Sequence, residues 1–190
     1  MTSPGTAPDT GSWRGDARDV GVIIGALAAL GVLAGVVWSL VVSTPTVTVD
    51  SMGLLTQGVE LGRRVEADVW FALLGLAVAL PAGVVGSLRA VARGRPDPVV
   101  AVLALVGGSL LAALLCSVVG TLLGPSDPAT VLQGADLGAQ APEMLTTHTW
   151  VVYPVWPLAA STGALVALLV RPPRLPGIGR SDDVSDNTAP

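Results

Sequence analysis

One short stretch, TTHTWVVYPVWPLAA at residues 146–160, carries the chain's single histidine, its single tyrosine, two of its five tryptophans and two of its fifteen prolines. His148 belongs to the one residue type whose ordinary titration falls near neutral pH, so it is a candidate pH-responsive group or ligand contact. Its plainer role is a hydrogen bond to nearby backbone or headgroups. Glu66 and Asp68 are the acidic candidates. At i and i+2 they point to opposite sides of a helix, which excludes a paired-carboxylate mechanism. Cys116 has no charged or histidine neighbour in sequence reach to activate it as a nucleophile, so packing is its expected role. A single cysteine forms no intramolecular disulfide, and a single histidine excludes a multi-histidine metal centre within one chain. Asp127, Asp136 and Glu143 are too scattered for an oxygen-ligand cation site. The chain contains no glycine-rich phosphate loop, no H-E-x-x-H, no C-x-x-C and no G-x-S-x-G. No catalytic residue, metal or cofactor is therefore expected, and an enzyme built on Glu66, Asp68 or His148 is the weakest reading.

The elements that must position these residues follow from composition. Apolar residues make up 51% of the 190, charged residues 13%, and mean hydropathy is +0.68. Those values belong to a membrane protein. Four charge-free runs, at residues 20–42, 69–88, 99–124 and 149–170, each reach the roughly 20 residues that a helix needs to cross about 30 Å of hydrocarbon. The prediction is an all-α, polytopic four-helix bundle over residues 20–170, with disordered tails at 1–19 and 171–190 that bury too little apolar surface to order. All ten basic residues are arginine. Eight flank the ends of the spans on the side of the termini, and only Arg63 and Arg64 fall on the other side. The positive-inside rule places both termini and the middle loop in the cytoplasm of a plasma-membrane protein. The first span exceeds a signal-peptide apolar core and lacks a small-residue cleavage site after it, so it is expected to stay as an anchor. A net charge of −4 without a basic stripe argues against nucleic acid as a partner.

Inside lipid, apolar side chains gain little by meeting one another, and helices associate through close packing and hydrogen bonds. Every span carries small residues at four-residue spacing: Gly31, Gly35 and Ser39, with Gly21 and Gly25 before them; Gly75, Ala79, Gly83 and Ser87; Ala104, Gly108, Ala112, Cys116 and Gly120; Ala159, Gly163 and Ala167. These faces either pack within one bundle, the favoured reading, or mediate self-association. Pro81, Pro154 and Pro157 remove backbone donors and predict kinks, which fit the bundle's shape or open a cavity. Of the two outer connections, TPTVTVD reads as a short extended piece and VELGRRVEADVWF as a helix running into the second span. On it, Glu60, Arg64 and Asp68 share one face with favourable pairing. GPSDPATVLQGADLGAQAPEMLTTH reads as an irregular, partly ordered loop.

The aromatic residues outside the N-terminal tail, Trp38, Trp70, Phe71, Trp150, Tyr153 and Trp156, all fall near the outer interface. A one-sided belt is less expected than anchors at both interfaces. With Glu66, Asp68 and His148 they form the candidate ligand-binding cluster of the outer face. In Trp38, EADVWF and HTWVVYPVWP, the chain resembles an uncharacterised family of actinobacterial four-span membrane proteins, a domain of unknown function. That resemblance implies a cell-envelope membrane protein and assigns no site. The expected function is a non-enzymatic accessory or assembly partner in the envelope. Its partners are the lipid bilayer and another membrane protein, or a second copy through the small-residue faces. The alternative is binding or transport of a lipid or small hydrophobic molecule at the outer leaflet.

Overall fold

A computed structural model describes residues 10–50, 55–57, 61–93 and 98–170. Four long helices, α1 (Thr10–Val41), α2 (Leu61–Arg93), α3 (Pro98–Leu123) and α5 (Val155–Val170), form the predicted all-α bundle. Each includes or belongs to a segment long and apolar enough to span a membrane. A short helix α4 (Pro128–Val131) and three strands, β1 (Thr46–Val49), β2 (Leu55–Gln57) and β3 (Gln140–Pro142), cap one end.

Sequential neighbours are not the tight pairs. Helix α1 packs chiefly on α3, and α2 packs chiefly on α5. The small residues explain both pairings. A methyl at Gly31 would overlap the Ala112 backbone, and one at Gly35 would lie 2.7 Å from the Cys116 carbonyl oxygen. Between α2 and α5 the contact is reciprocal: a methyl at Gly83 would strike the carbonyl of Ala160, and one at Gly163 the carbonyl of Leu80. Gly31, Gly35, Gly83, Ala112, Cys116 and Gly163 of these contacts sit on the predicted stripes, and Gly75, Ala79, Gly83, Ser87, Ala104, Gly108, Ala112, Cys116, Gly120, Ala159, Gly163 and Ala167 are all buried. The stripes are consumed inside one bundle. Gly21 and Gly25 differ, being exposed with open space about them.

Two boundaries depart from the sequence reading. Helix α1 starts at Thr10, so the second half of the expected N-terminal tail is helical. Asp19 meets Arg93 of α2 at 3.2 Å, which ties the early turns of α1 to the neighbouring helix end. Residues 1–9 and 171–190, expected to be disordered, lie outside the described residues, as does the pairing expected of Glu60 with Arg64. In the fourth span, a single 3₁₀ turn at Trp150–Val152 precedes α5. Pro154 and Pro157 therefore fall just before and within the first helical turn, where backbone N–H groups have no intrahelical partner anyway. The Tyr153 carbonyl accepts the Trp156 N–H at 3.2 Å instead. The prolines start a helix of 16 residues, about 24 Å long, rather than bending a longer one. Pro81, in contrast, lies deep inside α2.

The second outer connection is more ordered than expected. Strand β1 is central, with β2 and β3 antiparallel on either side: Val47 faces Gln57 on one flank and Ala141 on the other. The Thr–Val alternation of β1 turns Val47 and Val49 inward. Val49, Leu132 and Ala141 make a small core of their own beneath α4. Asp127 caps α4 by accepting the Ala129 N–H at 2.9 Å. Gly134 and Gly138 supply the turns, at φ +76° and +85°, where other residues would be strained. The two connections, far apart in sequence, are thus one folded cap.

Candidate functional site

Beneath the cap, the predicted outer cluster divides into two sets. Trp38, Trp156 and Phe71 are fully buried, and Tyr153 is half-buried against them. Phe71 is the hub. Its ring centroid lies 5.4 Å from Trp38, 5.2 Å from Tyr153 and 5.6 Å from Trp156, in edge-on or tilted geometries that suit aromatic quadrupoles. Glu66, Trp70, His148 and Trp150 are exposed instead, and Trp150 at 78% faces the surroundings almost fully. Asp68 is half-buried. The helical turn separates Trp70 from Phe71, sending one outward and the other into the core.

Each tight helix pair places one tryptophan over one glycine of its partner. The Trp38 indole covers Gly120, and the Trp156 indole covers Gly75 at the distance where a Cβ would otherwise stand. Only a glycine lets a ring of that size enter between helices. Phe71 then joins the two pairs through ring contacts. Polar links reinforce the same level. Trp38 Nε1–H donates to the Ala67 carbonyl at 3.0 Å, fixing α1 to α2. Tyr153 donates its hydroxyl to Ser117 Oγ at 2.8 Å and shares a 2.9 Å hydrogen bond with Thr147, fixing α5 to α3. Trp156 Nε1–H is buried without a hydrogen-bond partner among the described residues.

The cap is held down by similar contacts. The backbone N–H of His148 donates to Asp68 Oδ1 at 3.0 Å. Thr121 donates to the Leu145 carbonyl at 2.9 Å, while Leu145 itself is buried against Gly124. Asp68 and His148, read from sequence as ligand contacts, are brought together, but through the histidine's backbone; its ring remains exposed. Ser117, Thr121 and Thr147 were not flagged by the sequence, because scattered hydroxyl residues carry no spacing signal. The expected ring-lined opening is filled by its own rings.

A cavity lies at the opposite end of the bundle. It is an apolar groove of about 430 Å³ between α1 and α2, whose lining includes Leu30, Pro81 and Val85, with Asp19, Arg89 and Arg93 at its end. Pro81 cannot donate to the Ala77 carbonyl one turn earlier, and both residues border the groove.

Fold and surface together define a multi-pass α-helical membrane protein with an aromatic-locked interior and a folded cap. Comparison with known proteins finds no match to a family model, to a curated protein or to a solved structure.

Proposed function

We propose that the protein is a non-enzymatic accessory or assembly partner of another membrane protein, acting through its cap. The observation that carries this reading is surplus order. Helix–helix connections in bundles commonly need 2–8 residues, whereas the described residues of these two connections build a three-stranded sheet, a helix and a private core. Beyond the candidate spans, the cap also leaves Leu137 exposed, at 68%. Such side chains outside lipid are candidates for burial against a partner. Ser87 and Ser109 are buried polar side chains among the described residues, and Ser109 is satisfied by the Val106 carbonyl. An interior of this kind supports binding rather than reaction chemistry.

The test is cross-linking in native membranes followed by purification in mild detergent. A stoichiometric second protein is expected with the native chain and reduced several-fold with Leu137→Asp, without a change in thermal unfolding. Recovery of monomer alone sinks the reading.

The arginine distribution supports a plasma-membrane location with both termini in the cytoplasm and the cap outside. A reporter active only outside the membrane is expected to give signal when fused at residues 50 and 135, and none at 92 and 185. The reverse pattern would invert the orientation. Membership of the actinobacterial four-span family is the corresponding proposal for ancestry, resting on Trp38, EADVWF and HTWVVYPVWP. Lipid handling at the outer leaflet is the second reading of the aromatic face. The groove at the other end is the observation that favours a lipid ligand, and it moves the site.

A further inference from the structure

The groove between α1 and α2 arises from the way the helices pair. Helix α1 is committed to α3 through Gly31 and Gly35, and α2 to α5 through Gly83. The polar links described between α1 and α2 lie only at the two ends, Trp38 to Ala67 and Arg93 to Asp19. Between those ends, towards Asp19, small residues such as Ala26 face the Pro81 region of α2 without closing on it, and buried Leu105 of α3 forms the floor. Leu30 and Val85 on the rims are partly exposed, so the groove opens sideways, where lipid would be. Its volume of about 430 Å³ is that of a ligand site rather than a packing defect.

Depth and charge identify the occupant. Along α2, Arg89 lies about 29 Å from Trp70, which puts the two at opposite membrane interfaces. From Ala77 to Arg89 the apolar wall runs about 18 Å, close to the hydrocarbon depth of one leaflet. At the mouth, Arg93 is paired with Asp19 at 3.2 Å. Arg89, one turn earlier, is exposed and has no hydrogen bond or ion pair among the described residues. Among the described lining residues, two guanidiniums and one carboxylate leave a single positive charge above an apolar slot.

We infer that the groove holds one acyl chain of a monoanionic phospholipid from the leaflet at the Asp19–Arg93 end, with its phosphate on Arg89. The guanidinium fork matches two phosphate oxygens. Basic sites between membrane helices on the arginine-rich side recognise anionic headgroups by the same electrostatics. Arg93 extends the positive mouth while Asp19 holds it in place and limits the net charge to one. This inference stands apart from the assembly reading, which concerns the other end of the molecule.

Native mass spectrometry of the full chain in mild detergent tests it, with dioleoyl phosphatidylglycerol and dioleoyl phosphatidylcholine as probes of identical chains. The native protein is expected to retain phosphatidylglycerol about five- to tenfold better. Arg89→Gln should erase that preference, and Asp19→Asn should increase it. Ala26→Trp, which fills the slot, should lower retention of both lipids. Near-UV circular dichroism from the distant Trp38–Phe71–Trp156 cluster verifies that each variant is folded. Equal retention of the two lipids by the native chain overturns the inference. So does a preference that survives Arg89→Gln or falls in Asp19→Asn, or a groove that keeps its lipids when filled by Ala26→Trp.

Discussion

Replacing Phe71 by alanine is expected to lower stability by about 2–4 kcal/mol, among the largest effects of any side-chain truncation in the bundle. In a water-soluble core a Phe→Ala change costs about 3–5 kcal/mol, part of it transfer free energy. Lipid tails are as apolar as the core, so that part shrinks in a membrane. What remains is the cavity and the loss of three aromatic contacts, to Trp38, Tyr153 and Trp156, each worth about 0.5–1.5 kcal/mol. Because these rings belong to both tight pairs, the change loosens α1–α3 from α2–α5 as well as softening one contact. Trp70→Ala, one residue away but outward-facing, should shift stability by no more than about 0.5 kcal/mol. Unfolding in detergent followed by near-UV circular dichroism measures both. Equal effects at 70 and 71 would show that the buried ring cluster does not carry the bundle.

The second large effect reverses the usual rule for helices. Gly→Ala inside a helix ordinarily stabilises by up to about 1 kcal/mol. At Gly107, where nothing lies within 4 Å of the added methyl, Gly107→Ala should follow that rule or be neutral. At Gly163 the methyl meets the Leu80 carbonyl and lies 3.1 Å from the Val84 nitrogen; both atoms are backbone and neither can rotate away. Gly163→Ala should therefore destabilise by about 1–3 kcal/mol, the range for overpacked cores. Gly83→Ala meets the Ala160 carbonyl in the same way. The two substitutions should be less than additive together, since α2 and α5 separate once and then accommodate both methyls. Full additivity in a double-mutant cycle would mean that each glycine closes a different gap.

These expectations show what was legible in the sequence. Lipid imposes a composition on any chain that crosses it, so the four spans and their small-residue stripes could be read directly. The pairing of α1 with α3 and α2 with α5 could not, because all four helices carry stripes of the same kind and nothing in Gly83 names Gly163 as its counterpart. The aromatic face was visible as a set of residue types near one interface. Its division was not: Trp70 and Phe71 are adjacent, and only the orientation of α2 decides which is core. In the cap, the Thr–Val alternation announced β1. Strand β3 consists of Gln140, Ala141 and Pro142, too short and too poor in β-formers to be recognised without the partner it pairs with. The groove had no signal of its own, since it is space left over when α1 and α2 each pack on someone else.

The pairing order also constrains how the chain is made. Synthesis delivers α1 and α2 first, yet the glycine face of α1 has no counterpart until α3 is inserted. That of α2 waits for α5, which follows α3 in the chain. Throughout that interval Gly75 and Gly83 face lipid, and Phe71 lacks two of its three ring partners. The central strand of the cap waits as well, since β3 follows α3. Completion of α5 therefore docks α2, closes the ring cluster and seats the cap through His148 and Tyr153 in one event. A chain interrupted before residue 155 would be a membrane-inserted intermediate with open helix faces, the form that insertion and quality-control machinery would meet.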